Sequence, residues 1–234
     1  LPSAEGYMAG LISSLFGIPM FCVPTWFLLL IFSVEAVHFI AYRFIKGKTV
    51  RIIVGMFGFY AFGYWLNWQF DIFNPMKQRV VGYNYLFIHE AICLYGFYLF
   101  GTLLSKKQAW IDNLSAKTLA PVTVGLLLVT YFTYDLNQGP FDMFNSVVIF
   151  ISSHGHPFWF PFTAISGSLF IIFLARLSPQ QQTIIWLGQH SLILMAMNGI
   201  FYHYVNGRMA EWSVVHLSGS PLSVFGIEIG RAHV

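Results

Sequence analysis

Long apolar runs alternate with short polar connections along most of the chain. A helix needs about 20 apolar residues to cross a bilayer. Six runs are of this kind, and they cover residues 24–43, 51–70, 83–105, 117–135, 157–177 and 183–205. A further apolar stretch, residues 7–23, is short and contains Pro19. The pattern predicts an all-α fold, a polytopic bundle of about six transmembrane helices.

The composition narrows the class of protein further. Hydrophobic residues make up 57% of the 234 residues and charged residues only 9%, whereas soluble domains carry about 25% charged residues. This excludes an ordinary soluble enzyme, a disordered chain and a nucleic-acid-binding module. The net charge of +3 is too small to indicate a polyanionic partner. We therefore expect the lipid bilayer, and no nucleic acid, as a partner.

Basic residues are concentrated in every second loop. The loops that carry Lys46, Lys106 and Arg176 hold eight of the eleven Lys and Arg residues outside the last six positions. Lys and Arg favour the cytoplasmic side of a membrane, so these loops are predicted to be cytoplasmic. The loop at 136–156 is then external, and it contains Asp142 and no Lys or Arg.

The last six residues, 229–234, read Ile-Gly-Arg-Ala-His-Val. They are the translation of a DNA string that resembles a common sequencing adapter. We therefore expect residues 229–234 to be read-through that is not native, and residues 1–228 to be one partial membrane domain.

Ionisable side chains inside predicted spans are candidates for function because they are costly in hydrocarbon. Glu35 and His38 are three residues apart, so they share a helix face and one cavity can hold both. Such a pair can relay protons or orient a hydroxyl, or it can simply hold helices together. His89 and Glu90 lie near the outer end of the third span, where an interfacial pair with its charges turned to water is expected.

The sequence His154-Gly155-His156-Pro157 leads into the fifth span. Two histidines at this spacing can bind a metal, but the sequence places no third ligand, and no metal is expected. The alternative is a pair of hydrogen-bond donors at the outer mouth of the cavity that holds Glu35 and His38. His190, near the start of the sixth span, is expected to have a plain interfacial role.

Four ordered segments resemble the integral-membrane acyltransferases of family 3, especially the sugar O-acetylases. Trp26–Phe32 with Glu35 resembles the family's "WFL..LF..E" helix, and Gly96–Leu104 resembles its "FFLLG..L" helix end. Asp142-Met143 with the segment 154–157 resembles "DM…YGNP". Residues 187–192, Leu-Gly-Gln-His-Ser-Leu, resemble "LGKNSL". The likeness covers roughly residues 20–205, in the order found in the family.

The resemblance implies transfer of an acyl group, often acetyl, from an acyl-CoA to a hydroxyl of a surface or exported sugar. It also implies a bacterial inner (plasma) membrane protein. Supporting or substrate-facing roles then fall to Glu35, His38, Asp142, His154 and His156. The family's main catalytic His and a nearby Arg motif lie on early helices, which would precede Leu1, so that role is assigned to no residue here. Asn198 stands where family members often have His, and Asn has no acid–base function.

Two other functions remain open from the sequence. A transporter or permease for a small polar solute would use the same intramembrane Glu and His for proton coupling. A non-catalytic membrane subunit would use them only to hold helices together.

Overall fold

The computed structural model describes residues 26–69, 85–137 and 154–200, together with Met8, Val147, Ile149, Arg208, Met209 and Trp212. Asp142, the stretch 9–23 and the tail 229–234 lie outside the described residues, as does the side chain of Asn198. The predictions made for them therefore stay predictions.

Eight α-helices form the described part of the chain, which contains no β-strand, so the all-α prediction is confirmed. Short 3₁₀ turns, Tyr85–Phe87 and Tyr134–Leu136, precede α3 and follow α5. The helices are α1 Trp26–Ile45, α2 Thr49–Gln69, α3 Ile88–Ser105, α4 Gln108–Asp112, α5 Ala116–Thr133, α6 Trp159–Leu177, α7 Gln182–Gln189 and α8 Ser191–Ile200.

Five of these helices, α1, α2, α3, α5 and α6, are long and apolar enough to span a membrane. They match the first five predicted spans within a few residues. Large apolar side chains such as Phe39, Phe44 and Ile171 are exposed on them, as is suitable for contact with lipid tails rather than water. The five helices are compatible with an integral membrane protein.

The sixth predicted span differs from the prediction. The described part of it is divided at His190 into α7 and α8, of 8 and 10 residues, and residues 201–205 of this span lie outside the described residues. The His190 imidazole stacks on the Trp186 ring with centroids 4.4 Å apart, and its Nδ1 hydrogen-bonds to the Trp186 carbonyl at 2.8 Å. The same carbonyl also accepts the backbone N–H of His190 at 3.1 Å, so it has two donors at the boundary between α7 and α8.

The chain divides into two compact units, one of residues 28–179 and the other of residues 1–27 with 180–234. All five long helices lie in the first unit, apart from the first two residues of α1. The following description of packing concerns that unit.

Helices α2 and α3 are antiparallel and lie in close contact. The backbone of Cys93 packs directly on Gly63, and Met56 and Tyr60 pack on Gly96. Small residues permit such close contact between helices, and Gly55 and Gly63 of α2 do so here. Gly58 does not, because nothing lies within 4 Å of the position its Cβ would take.

A second interface joins α5 to α6. Ile111, Leu119 and Phe173 are its buried centre. Near it, the Arg176 guanidinium donates a 2.6 Å hydrogen bond to the carbonyl of Asp112 and lies 3.9 Å from the Asp112 carboxylate. This pair links the end of α6 to the short helix α4.

These contacts show which helix ends lie together. The end of α1 meets the start of α2, and the end of α3 packs beside α4, the start of α5 and the end of α6. All eight basic residues of the predicted cytoplasmic loops therefore lie at one end of the unit, which we call the basic end. They are Arg43, Lys46, Lys48, Arg51, Lys106, Lys107, Lys117 and Arg176.

Candidate functional site

Glu35 and His38 line one cavity of about 560 Å³ toward the basic end, together with Phe39, Tyr42 and Arg43. The prediction that one cavity holds both side chains is confirmed. Both sit on α1 one turn apart, which is why a spacing of three brings them to the same opening.

Two tyrosines of α3 are the partners of His38. The His38 Nδ1 and the Tyr95 hydroxyl form a 2.9 Å hydrogen bond, and the Tyr98 ring packs on the imidazole with centroids 4.8 Å apart. Tyr95 is fully buried, and its ring stacks on that of Tyr98 with centroids 5.6 Å apart. The imidazole is thus fixed by a hydroxyl from the neighbouring helix.

Burial differs between the two members. His38 is half-buried, whereas Glu35 is exposed at the opening. Ionisable side chains within a span usually face the bundle interior, and we expected this of both side chains, but Glu35 does not. The buried face of α1 contains Ser33, Val37 and Ala41. Glu35 lies about half a turn around the helix from this face.

The segment His154–Pro157 is held in place at the opposite end by three hydrogen bonds. The hydroxyls of Tyr60 and Tyr64 donate to the carbonyls of Pro157 and Gly155, each at 2.6 Å. The Asn137 side-chain oxygen accepts the backbone N–H of His156 at 3.0 Å. Gly155 has a φ of +67°, which favours glycine, and a Cβ there would overlap the Asn137 side-chain oxygen.

The two histidines of this segment have different surroundings. His154 is buried, and its ring packs edge-on against Phe160 with centroids 5.3 Å apart. His156 is exposed, and its Nδ1 accepts the backbone N–H groups of Phe158 and Trp159 at 3.2 and 3.4 Å. His156 thus caps the start of α6.

A second cavity, which we call the outer cavity, opens beside this segment. Its volume is about 670 Å³, and it is lined by Tyr64, Trp68, Asp135, Leu136, Gly155, His156 and Pro157. Only His156 of the two histidines lines it. The prediction that both line the mouth of the Glu35–His38 cavity is wrong, because that cavity is at the basic end and the outer cavity is at the other.

His89 and Glu90 also differ from expectation. Glu90 is completely buried and His89 is 5% exposed, so they are not a pair turned to water at the membrane surface. The Asn67 side chain donates to the His89 carbonyl at 3.0 Å and to the Gly63 carbonyl at 2.7 Å. The close α2–α3 contact covers this region, and the sequence shows that contact only as glycines in α2.

Sequence reasoning missed the tyrosines and the amide that position these groups. Tyr60 and Tyr64 are four residues apart on α2, and Tyr95 and Tyr98 are three apart on α3. These spacings place each pair on one helix face, which was a usable signal. Asn137 offered no signal, because its role depends on the fold of a distant turn. Among the described residues, no three potential metal ligands lie together.

Comparison with models of protein families, with curated proteins and with solved structures finds no match to this chain. The chemistry of the two cavities must therefore be argued from their residues.

Proposed function

We propose that this chain is part of a membrane-bound O-acyltransferase. The enzyme moves an acyl group such as acetyl from an acyl-CoA to a hydroxyl of a surface or exported sugar. In this reaction the thioester C–S bond breaks and an ester C–O bond forms. The hydroxyl proton passes to a base, and the CoA thiol leaves.

The observation that carries the proposal is the setting of the segment 154–157. This segment resembles one of the family's motifs, and three hydrogen bonds hold it rigidly beside an open cavity. Rigid positioning of polar groups is what acyl transfer needs, since the gain from orientation depends on groups that are already in place.

The two ends of the bundle differ in a way that suits the reaction. Eight basic side chains are exposed at one end, where they attract the phosphates of an acyl-CoA. The outer cavity at the other end has a carboxylate and an imidazole for hydroxyl groups. We propose that the basic end is cytoplasmic, in a bacterial inner membrane, and that the outer cavity receives the acceptor.

Orientation is tested by single-cysteine labelling in a background with Cys22 and Cys93 replaced. We expect a membrane-impermeant maleimide to label Lys106→Cys only from the cytoplasmic side and Asp135→Cys only from outside. Asp142→Cys, in the same predicted external loop, should behave like Asp135→Cys. Labelling of both ends from one side, or in the reverse sense, would overturn the assignment of donor and acceptor sides.

The activity is tested in membranes that contain the full-length gene product, with acetyl-CoA labelled in the acetyl group. We expect label in the polysaccharide fraction that mild alkali releases, as an O-ester requires. Replacing Glu35 by Met or His38 by Phe should reduce the transfer about a hundredfold or more, the usual contribution of one acid–base group. The control Phe44→Leu, exposed on the same helix, should transfer at the parent rate.

Parent-like transfer by both variants would mean that Glu35 and His38 have no acid–base role and that His38 only bonds Tyr95. The second candidate function, solute transport, is favoured by the existence of open cavities at both ends of the unit. Gene-dependent uptake of a polar solute without any acyl transfer would favour transport and contradict the proposed enzyme.

A further inference from the structure

The outer cavity combines three kinds of group that recognise a sugar ring. Trp68 provides an aromatic face, Asp135 a carboxylate and His156 an imidazole, and all three line the same opening. They come from three separate places in the chain: the end of α2, the turn after α5 and the segment before α6. The combination exists only because the fold brings those ends together.

The hydrogen bonds of His156 determine what its imidazole can do. Its Nδ1 accepts two backbone N–H groups of α6, so this nitrogen carries no proton. In a neutral imidazole the other nitrogen, Nε2, then holds the hydrogen and is a donor. His156 therefore offers a donor at the outer cavity, and it is not placed to act as a base there.

Asp135 supplies the complementary group. An ionised carboxylate only accepts hydrogen bonds, whereas each sugar hydroxyl both donates and accepts. A donor on one side of the cavity and an acceptor on another can therefore bind two hydroxyls of one ring. The cavity volume of about 670 Å³ lies within the range of ligand pockets, about 300–1,000 Å³.

Trp68 completes the set because a pyranose ring has an apolar C–H face. The Trp68 side chain is 75% exposed, so a ring packed on it removes apolar surface of both partners from water. The alternative is an interfacial tryptophan that only anchors the helix in the membrane. Trp65 is suited to that role, since it is exposed on the same helix, stacks on Phe62 and is not among the residues that line the cavity.

We propose that the outer cavity is the acceptor subsite, in which Trp68 packs on a pyranose face while the His156 Nε2–H and the Asp135 carboxylate bind ring hydroxyls. This inference rests on the proposed function for the direction of acyl transfer. The binding of a sugar ring is a separate claim that can be measured without turnover.

Binding is tested by saturation-transfer NMR with the full-length protein in lipid nanodiscs. The probes are methyl glycosides of glucose, galactose, rhamnose and N-acetylglucosamine, and mannitol is the control, because it has hydroxyls but no ring face. We expect at least one glycoside to bind and mannitol not to bind. Absence of binding by every glycoside, or equal binding of mannitol, would overturn the inference.

Variants then assign the residues. We expect Trp68→Ala to weaken glycoside binding about tenfold or more, as loss of a central aromatic contact does, while Trp68→Phe keeps part of the affinity. The matched control Trp65→Ala should bind like the parent. Equal losses in the two alanine variants would show that tryptophan anchoring, not ring recognition, is being measured. Parent-like binding by Trp68→Ala would also overturn the inference.

The hydroxyl contacts are tested with His156→Asn and Asp135→Leu. Asparagine can still cap α6 through its side-chain oxygen, so thermal stability should stay near that of the parent while the Nε2–H donor is lost. Each variant should raise the KM for the acceptor about fivefold or more, as loss of a hydrogen bond does, with kcat within about twofold. Unchanged KM in both variants would remove these two residues from the site.

The two proposals fail in different ways. Glycoside binding that depends on Trp68, without acyl transfer in any assay, would keep the sugar site and reject the enzyme. Acyl transfer with a parent KM in Trp68→Ala would keep the enzyme and reject this subsite.

Discussion

Replacing Gly63 by Ala should open the α2–α3 interface. A Cβ at position 63 would overlap the backbone nitrogen and Cα of Cys93 and would lie 2.8 Å from its Cβ. Ordinary contacts of this kind begin at 3.4 Å, so the Cβ pair alone must separate by about 0.6 Å, and the overlapped backbone atoms by more. Backbone cannot rotate away as a flexible side chain does, so the helices themselves must move.

The expected cost follows from two opposing effects. Overpacking of a close interface costs about 1–3 kcal/mol, and we expect the upper part of that range here because the added Cβ meets backbone atoms. Alanine in a helix interior is favoured over glycine by about 0.5–1 kcal/mol. The net loss in unfolding free energy should therefore be about 2 kcal/mol.

A graded series of variants provides the assay. We expect the midpoint of unfolding by a denaturing detergent, followed by circular dichroism, to fall most for Gly63→Ala. The midpoint should fall less for Gly96→Ala, because the added Cβ would lie 2.9 Å from the Met56 carbonyl oxygen and 3.0 Å from the Tyr60 Cβ. Gly58→Ala, with open space around it, should unfold like the parent or slightly later. The same midpoint for Gly63→Ala and Gly58→Ala would refute this account of the interface.

Two further predictions concern single contacts. Ser33→Ala removes the 2.6 Å hydrogen bond to the Leu86 carbonyl in a buried setting, so unfolding free energy should fall by about 1–3 kcal/mol, whereas the exposed Ser105→Ala should change it little. A loss no greater than that of Ser105→Ala would contradict the role of this bond. Asp112→Asn keeps the backbone carbonyl that accepts the Arg176 hydrogen bond, so the free energy of unfolding should change by less than about 0.5 kcal/mol. Arg176→Ala should lower it by up to about 1 kcal/mol, since exposed ion pairs are weak. A larger effect of Asp112→Asn than of Arg176→Ala would contradict that ranking.

The pattern of apolar runs was sufficient to predict five membrane-length helices. The placement of Lys and Arg in every second loop was also visible in the sequence. Helices in hydrocarbon must satisfy their backbone within themselves, so local sequence determines where they begin and end. The break at His190 was not predictable in this way. Residues 183–205 are as apolar as the other runs, and a stop inside such a run depends on local conformation rather than on hydropathy.

For the candidate site, the sequence by itself brought Glu35 and His38 to one cavity, because three residues on a helix determine a shared face. It also singled out His154 and His156. Only the tertiary structure decided that these two pairs belong to opposite ends of the bundle, that His154 is buried while His156 caps α6, and that Trp68 and Asp135 join His156 at one opening. Helix periodicity relates residues within one turn or two, whereas contacts between helix ends depend on how close the helices approach. The approach of α2 to α3, for example, rests on Gly63 against Cys93, a contact between residues distant in sequence that no local pattern contains.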